Sequence, residues 1–378
     1  MIAKWWSADH FIFEEYKTAT SGLGIYRILF AAYILFVILP TQLWVTNFPD
    51  SFFNPPLGLT LFFTGFPGAA FFRVANGLAI LAAVCLLFGY RTRIASTGIA
   101  LLLFVCNSWA YSFGKIDHDI PLIFIPLIMQ FAGWGDSYSM DARRHDANDQ
   151  AEKKTTAWPI ALMALIVGLA MMTAAVPKAG SGWLDPHSHA VRAWLLYNHF
   201  VTGRSDWFSG HLLRIDSWVP WKLFDYATVL IEASFLLAVT RRSAFRVVCA
   251  FACFLHLGIA VMMEIAFVGN ILAYAACFEW SALESRAGGL LHLWNGLLDR
   301  ISAPWVLGSG AAMAFIYLRF GNPLQLPQEW DPIGVLICVV SAVAAAVFLI
   351  TTLRSWLRTP AATPSSCSIP SPHGATHR

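Results

Sequence analysis

The chain has 378 residues, 57% of them hydrophobic and 12% charged, with a formal net charge of +3 and a mean hydropathy of +0.60. Soluble proteins carry about 25% charged residues, so this composition excludes an ordinary soluble globule and predicts a polytopic membrane protein whose main partner is the lipid bilayer. The small net charge, without any Lys/Arg run, excludes a nucleic-acid surface.

Taken in chain order, residues 1–21 mix charges and aromatics and read as an amphipathic interfacial segment, not a cleavable leader. Crossing a bilayer takes ~17–25 apolar residues. Such runs fall at 22–39, 70–89, 94–113, 157–177, 222–240, 244–263, 303–320 and 332–353. Two further runs, 119–134 with two prolines and 266–283 with Asn270 and Glu279, count as spans as well. The predicted fold is therefore an all-α membrane bundle of about ten transmembrane helices. Its expected parts are a main domain at 22–285, two more spans at 286–356 and a Pro/Ser-rich disordered tail at 357–378. Six of the cysteines lie in apolar runs, where they suit packing. No internal repeat of the kind that builds transporters is evident.

Orientation follows from loop cations. With a cytoplasmic N-terminus, sixteen Lys and Arg residues fall inside, from Lys4 to Arg378, and both termini are cytoplasmic. The short outer loops hold only Lys115 and Arg319. Five more cations, Lys178, Arg192, Arg204, Arg214 and Lys222, lie in one long outer loop, 178–222. That loop is dense in Trp, His and Leu, which predicts helices lying along the interface. The expected location is a bacterial cytoplasmic (inner) membrane.

Ionisable groups inside spans are costly and mark candidates. Arg27, Arg73, His118, Lys178, Glu232, His256, Glu264 and Glu279 form that set. Arg73 can snorkel, and Glu264 and Glu279 sit near span ends. Arg27 and Glu232 lie deeper and read as members of a buried polar network. Lys178 follows Pro177 where the chain should leave the bilayer, and reads in two ways. It is an interfacial anchor, or a base whose ammonium is partly desolvated by Val176, Pro177 and Trp183, which favours the neutral amine. His118, at a span end on the same outer side, reads as an interfacial hydrogen-bonder or as its helper. Asp185, His187, His189 and His199 invite a zinc reading, but no pattern of supporting residues accompanies them and no metal is expected.

In order along the chain stand "YRILFAAYILF" with Arg27, "GKIDHD" with His118, "YSMD" at 138–141, "PKAGSGW" with Lys178 and Trp183, and "FLHLGIAVMMEIAFVGN" with His256. In that order and spacing, residues 20–285 resemble the horizontally transferred transmembrane (HTTM) family, which includes the membrane part of vitamin K-dependent gamma-carboxylase. The resemblance implies that Lys178 is the base that deprotonates a reduced quinone, with His118 as the accompanying histidine and the site at the outer face. Arg27, Glu232, His256 and Trp183 would support it. The carboxylase's large luminal domain has no counterpart after residue 285. Recognition then falls to the 178–222 loop or to an accessory protein, and the expected substrate is a quinone, a lipid or a secreted peptide. The alternative is a non-catalytic membrane partner for maturation or export of a peptide or protein. A transporter is disfavoured by the missing repeat.

Overall fold

The computed structural model describes residues 7–114, 116, 118–144, 155–204, 208–324 and 331–358. Within them the chain is mostly helical, 72% helix with almost no strand. The elements are α1 (Ala8–His10), β1 (Thr18–Ala19), α2 (Leu23–Tyr33), α3 (Ala69–Phe88), α4 (Thr92–Tyr111), α5 (Pro121–Met129), β2 (Thr155–Thr156) and α6 (Trp158–Gly180). There follow α7 (Ala190–Phe200), α8 (Ser209–Leu212), α9 (Trp218–Ala238), α10 (Arg242–Met263), α11 (Val268–Ala275), α12 (Ser281–Glu284), α13 (Gly288–Arg300), α14 (Ala303–Phe320) and α15 (Pro332–Arg358).

Six helical stretches are long and apolar enough to cross a membrane: Leu23–Asn47, which continues α2 through a π-helical turn, then α3, α4, α6, α10 and α15. A seventh is available if α13 and α14, bent by 101° at their junction, act together. The long apolar helices thus do not confirm the expected count of ten, for identifiable reasons. The apolar run at 119–134 contains only the nine residues of α5, and the run at 266–283 only the eight of α11. At 1.5 Å per residue these helices rise only about 12–14 Å, under half the bilayer core. Turns at Gly133 and after Ala275 break them, and hydropathy does not register a turn made of apolar residues. The 21 residues of α9 are long enough, but they carry Lys222, Asp225 and Glu232.

One core joins the bundle. Tyr26, Phe30, Trp134, Phe235, Phe245 and Tyr274 are fully or almost fully buried within it. On the outside the pattern is inverted from that of a soluble protein. Leu336, Val340, Val343, Val347 and Ile350 line one exposed stripe of α15 at helical spacing. An apolar exterior of this kind is matched by lipid.

The N-terminal segment folds against one end of the bundle. Tyr16 is buried and donates from its hydroxyl to the Val239 carbonyl at 2.7 Å, while β1 pairs antiparallel with β2, Thr18 opposite Thr156. Arg242, opening α10, donates to the Lys17 carbonyl at 2.8 Å and to Glu279 at 3.1 Å. The start of α6, the end of α9 and the start of α10 therefore share this end, and Lys178 and the start of α9 lie at the other. Residues 1–6 and 359–378, most of the expected tail, lie outside the described residues.

The long outer loop is helical as expected, as α7 and α8, but shorter. Lys178 still belongs to the last turn of α6, and Lys222 already belongs to the first turns of α9.

Candidate functional site

Helix α9 organises the end of the bundle that holds Lys178. Trp221, Asp225, Thr228, Glu232 and Phe235 recur three to four residues apart, Lys222 stands next to Trp221, and all six are buried. A charged stripe turned inward is costly unless it is paired, and each charge on it has a partner. Lys178 Nζ donates to both carboxylate oxygens of Glu232, at 2.5 and 2.7 Å. Seven residues earlier, about 10 Å along the helix, Lys222 Nζ lies 2.9 Å from Asp225. This second pair is closed off, with side-chain exposures of 4% and 0%, whereas Lys178 keeps 26% and Glu232 9%.

The two pairs have different jobs by geometry. Asp225 also accepts from the backbone N–H groups of Ala190 at 3.2 Å and Val191 at 2.8 Å. These are orphan donors at the start of α7, so Asp225 caps that helix from outside it, and His189 at its Ncap provides no side-chain cap. Lys222 in turn donates to the Trp183 carbonyl at 2.9 Å. The Trp183 ring lies 5.5 Å from Lys178 Nζ, within cation–π range. Trp183 thus stands between the closed pair and the half-open one. Lys178 also occupies the last turn of α6, where the helix dipole favours a cation.

Below the Lys178–Glu232 pair lies an aromatic row. His256 Nε2 is 2.9 Å from the Tyr274 hydroxyl, which is 3.7 Å from Met171 Sδ on α6. The Tyr274 ring stacks on Phe235 at 5.4 Å, and the His256 ring on Phe267 at 5.1 Å. The other imidazole, His118, packs on Phe267 as well, at 4.7 Å. Phe267 therefore links the two histidines. Lys178 takes Glu232, and not His118, as its hydrogen-bond partner. His256 Nδ1 is buried, and among the described residues it has no hydrogen-bond partner. An orphaned buried ring nitrogen beside a stack of aromatic rings suits a flat ligand carrying hydroxyl or oxo groups.

No protein-family model, curated protein or solved structure matches the chain. The site is accordingly read from its own geometry.

Of the expected site residues, Lys178, Glu232 and Trp183 come together, and His256 and His118 join them through the aromatic row. Arg27 does not. It is fully buried at the opposite end, donating from Nη1 to the carbonyls of Trp134 at 2.9 Å and Ser137 at 3.2 Å, and from Nη2 to that of Tyr138 at 2.6 Å. The "YSMD" stretch is also architectural. Asp141 accepts from the Arg91 and Thr92 backbone N–H groups at 2.9 and 2.6 Å, capping α4. Gly89, at φ +65°, lies so close to this loop that a Cβ there would collide with Ser139 and press on Arg27 Nη1.

The histidine-rich loop separates into local contacts. His199 Nδ1 is 2.7 Å from Ser209 Oγ, and Asp185 accepts from the His187 backbone at 2.9 Å. Among the described residues, no three His, Cys, Asp or Glu side chains form a metal-holding group. Sequence reasoning missed Asp225 and Tyr274. Asp225 had a usable signal, since an acid three residues after Lys222 inside an apolar run is an ion pair waiting on a helix face. Tyr274 had none, because its partner is eighteen residues away.

Proposed function

We propose that this chain is an HTTM-type integral membrane protein whose outer-end cluster accepts a proton from a weakly acidic, membrane-borne substrate. The observation that carries the reading is the bidentate Lys178–Glu232 pair, buried on the Glu232 side and partly open on the Lys178 side. Ten crossings with both ends cytoplasmic are part of the proposal. Besides the six long apolar helices, the α13–α14 pair taken as one span and α9, two broken segments run along a neighbour. Residues 118–134 follow α4, with Thr97 Oγ1 donating to Gln130 at 2.7 Å and Trp134 Nε1 to Ser96 at 3.2 Å. Residues 267–280 follow α10 down to the Arg242–Glu279 contact. The cation bias between inner and outer loops supports the orientation, and the proposed setting is a bacterial cytoplasmic membrane.

In this reading Lys178 is the base. Shifting its proton to Glu232 leaves amine and carboxylic acid with no change in net charge. The amine can then take the substrate proton, and the ammonium so formed faces the resulting anion and stabilises it. Trp183 excludes water from one side, and the closed Lys222–Asp225 pair holds Trp183 and α7 in place. His118 and His256, either side of Phe267, border the position where a ring would lie. A reduced quinone, when bound, supplies an acidic hydroxyl. A lipid or a secreted peptide delivered by an accessory protein fits the same proton-accepting chemistry.

The test begins with lipid extraction and the absorption spectrum of the detergent-purified protein, which should reveal a retained quinone. Oxygen uptake with a reduced naphthoquinone is then compared across variants. Lys178→Ala and Lys178→Arg should both fall to background while remaining inserted and monodisperse, because a guanidinium stays protonated. Full activity in Lys178→Arg overturns the reading.

That outcome would leave the second reading, a non-catalytic partner for peptide or protein maturation. The completeness of the Lys178–Glu232 match favours it, since both carboxylate oxygens are engaged, as a purely structural pair requires.

A further inference from the structure

At the opposite end of the bundle, where α10 begins, cations outnumber the acids that meet them. A helix N-terminus carries partial positive charge and is stabilised by acids. Helix α10 has no acidic residue of its own in its first turn; Glu15 Oε1, from the N-terminal segment, accepts from the Arg242 backbone N–H at 2.8 Å, while Arg241, Arg242 and Arg246 bring three cations to the same place. Arg242 has a carboxylate, Glu279 Oε2 at 3.1 Å. The other oxygen of Glu279 is taken by Ser281 Oγ at 3.1 Å and Thr18 Oγ1 at 3.4 Å.

Arg246 is left over. Its guanidinium lies 5.4 Å from the Phe348 ring centroid on α15 and 5.9 Å from that of Phe278, and those rings are themselves 6.5 Å apart. Its Nε is buried, and among the described residues Arg246 makes no hydrogen bond and no ion pair. Flat guanidinium stacking on two rings fixes the fork but satisfies none of its five donors.

The surroundings name the missing partner. Arg246 stands one turn, about 6 Å, inside the start of a spanning helix, in the groove that α10 forms with α15. Helix α15 faces outward over most of its length, and Trp356, exposed near its end, sits where interfacial tryptophans belong. Arg354, exposed, lies about 9 Å beyond Phe348 along α15. An anion that reaches a guanidinium at this depth, beside an apolar helix, has to bring acyl chains with it.

We propose that the α10–α15 groove binds an anionic phospholipid, its phosphate accepting from the Arg246 fork and its acyl chains lying along α15. The phosphate offers bidentate geometry and offsets the excess positive charge at the start of α10. This site is independent of the outer-end chemistry.

The experiment reads the melting temperature of the full-length protein in lipid nanodiscs. Phosphatidylglycerol should raise it by several degrees over phosphatidylcholine. Arg246→Gln should lose at least half of that difference, and Arg246→Lys should keep only part of it, because a point charge attracts the phosphate without the bidentate fork. An undiminished difference in Arg246→Gln overturns the proposal, as does inorganic phosphate in detergent reproducing the whole shift, which would mark a soluble-anion site. On the wild-type chain, a photoactivatable phosphatidylglycerol should label peptides from 242–250 and 345–354. Labelling that avoids both overturns the proposal without relying on any variant.

Discussion

Two cations buried at opposite ends of the bundle, Arg27 and Lys178, are matched in opposite ways. Among the described residues, Arg27 at one end hydrogen-bonds to neutral carbonyls of the chain, those of Trp134, Ser137 and Tyr138. At the other, Lys178 and Lys222 are matched by carboxylates. A guanidinium held by carbonyls has nowhere to send a proton, and its fork does one thing, which is to gather a loop. An amine held by a carboxylate keeps a proton that can change atoms. Burial alone therefore does not mark a functional cation in a membrane bundle. The chemistry of its partners does.

The strongest test of this contrast removes Arg27. Arg27→Ala strips a donor from three carbonyls at once, each worth about 1–3 kcal/mol when left unmatched in the interior, or roughly 5 kcal/mol together. The expected result is loss of a monodisperse, trypsin-resistant protein in detergent. Arg27→Lys should recover only part of it, because a point charge cannot span three carbonyls. Lys178→Arg, by contrast, should hardly move the melting temperature. Equal stability losses at the two ends would dissolve the distinction.

Asp225→Ala should come next. It leaves Lys222 buried without its carboxylate and uncaps α7, for about 3 kcal/mol. Limited proteolysis should show new cutting within 185–200 while the opposite end stays protected. Cutting spread evenly over both ends would mean that the closed pair holds more than the outer loop.

What was legible in the sequence follows from how local each feature is. The membrane class and the helical fold were legible because apolar runs announce themselves residue by residue. Lys178 and Trp183 were legible as neighbours because only four residues separate them across one helix end. Glu232 stood out as a deep acid, but its partner did not, since Lys178 is fifty-four residues away on another helix. Arg27 carried the same signal as Glu232, a charge in an apolar run, and that signal cannot say whether a carboxylate or a carbonyl will meet it. That α5 and α11 are much shorter than the apolar runs holding them was not legible, because hydropathy averages over the turns that end them.

The smallest expected effect lies inside the aromatic row and separates positioning from packing. Tyr274→Phe keeps the ring stacked on Phe235 and removes only the hydroxyl that meets His256 Nε2 at 2.9 Å. One hydrogen bond is worth about 1 kcal/mol, so the melting temperature should fall by only about 1–2 °C in a chain of this size. If that hydroxyl fixes which ring nitrogen of His256 carries the proton, substrate turnover should drop far more than stability does. The carboxylate end of the comparison sharpens accordingly. A drop in turnover at nearly constant melting temperature would extend the proposed proton-handling site from the Lys178–Glu232 pair down to His256. A matched, small decline in both would confine it to the pair and leave the row as packing.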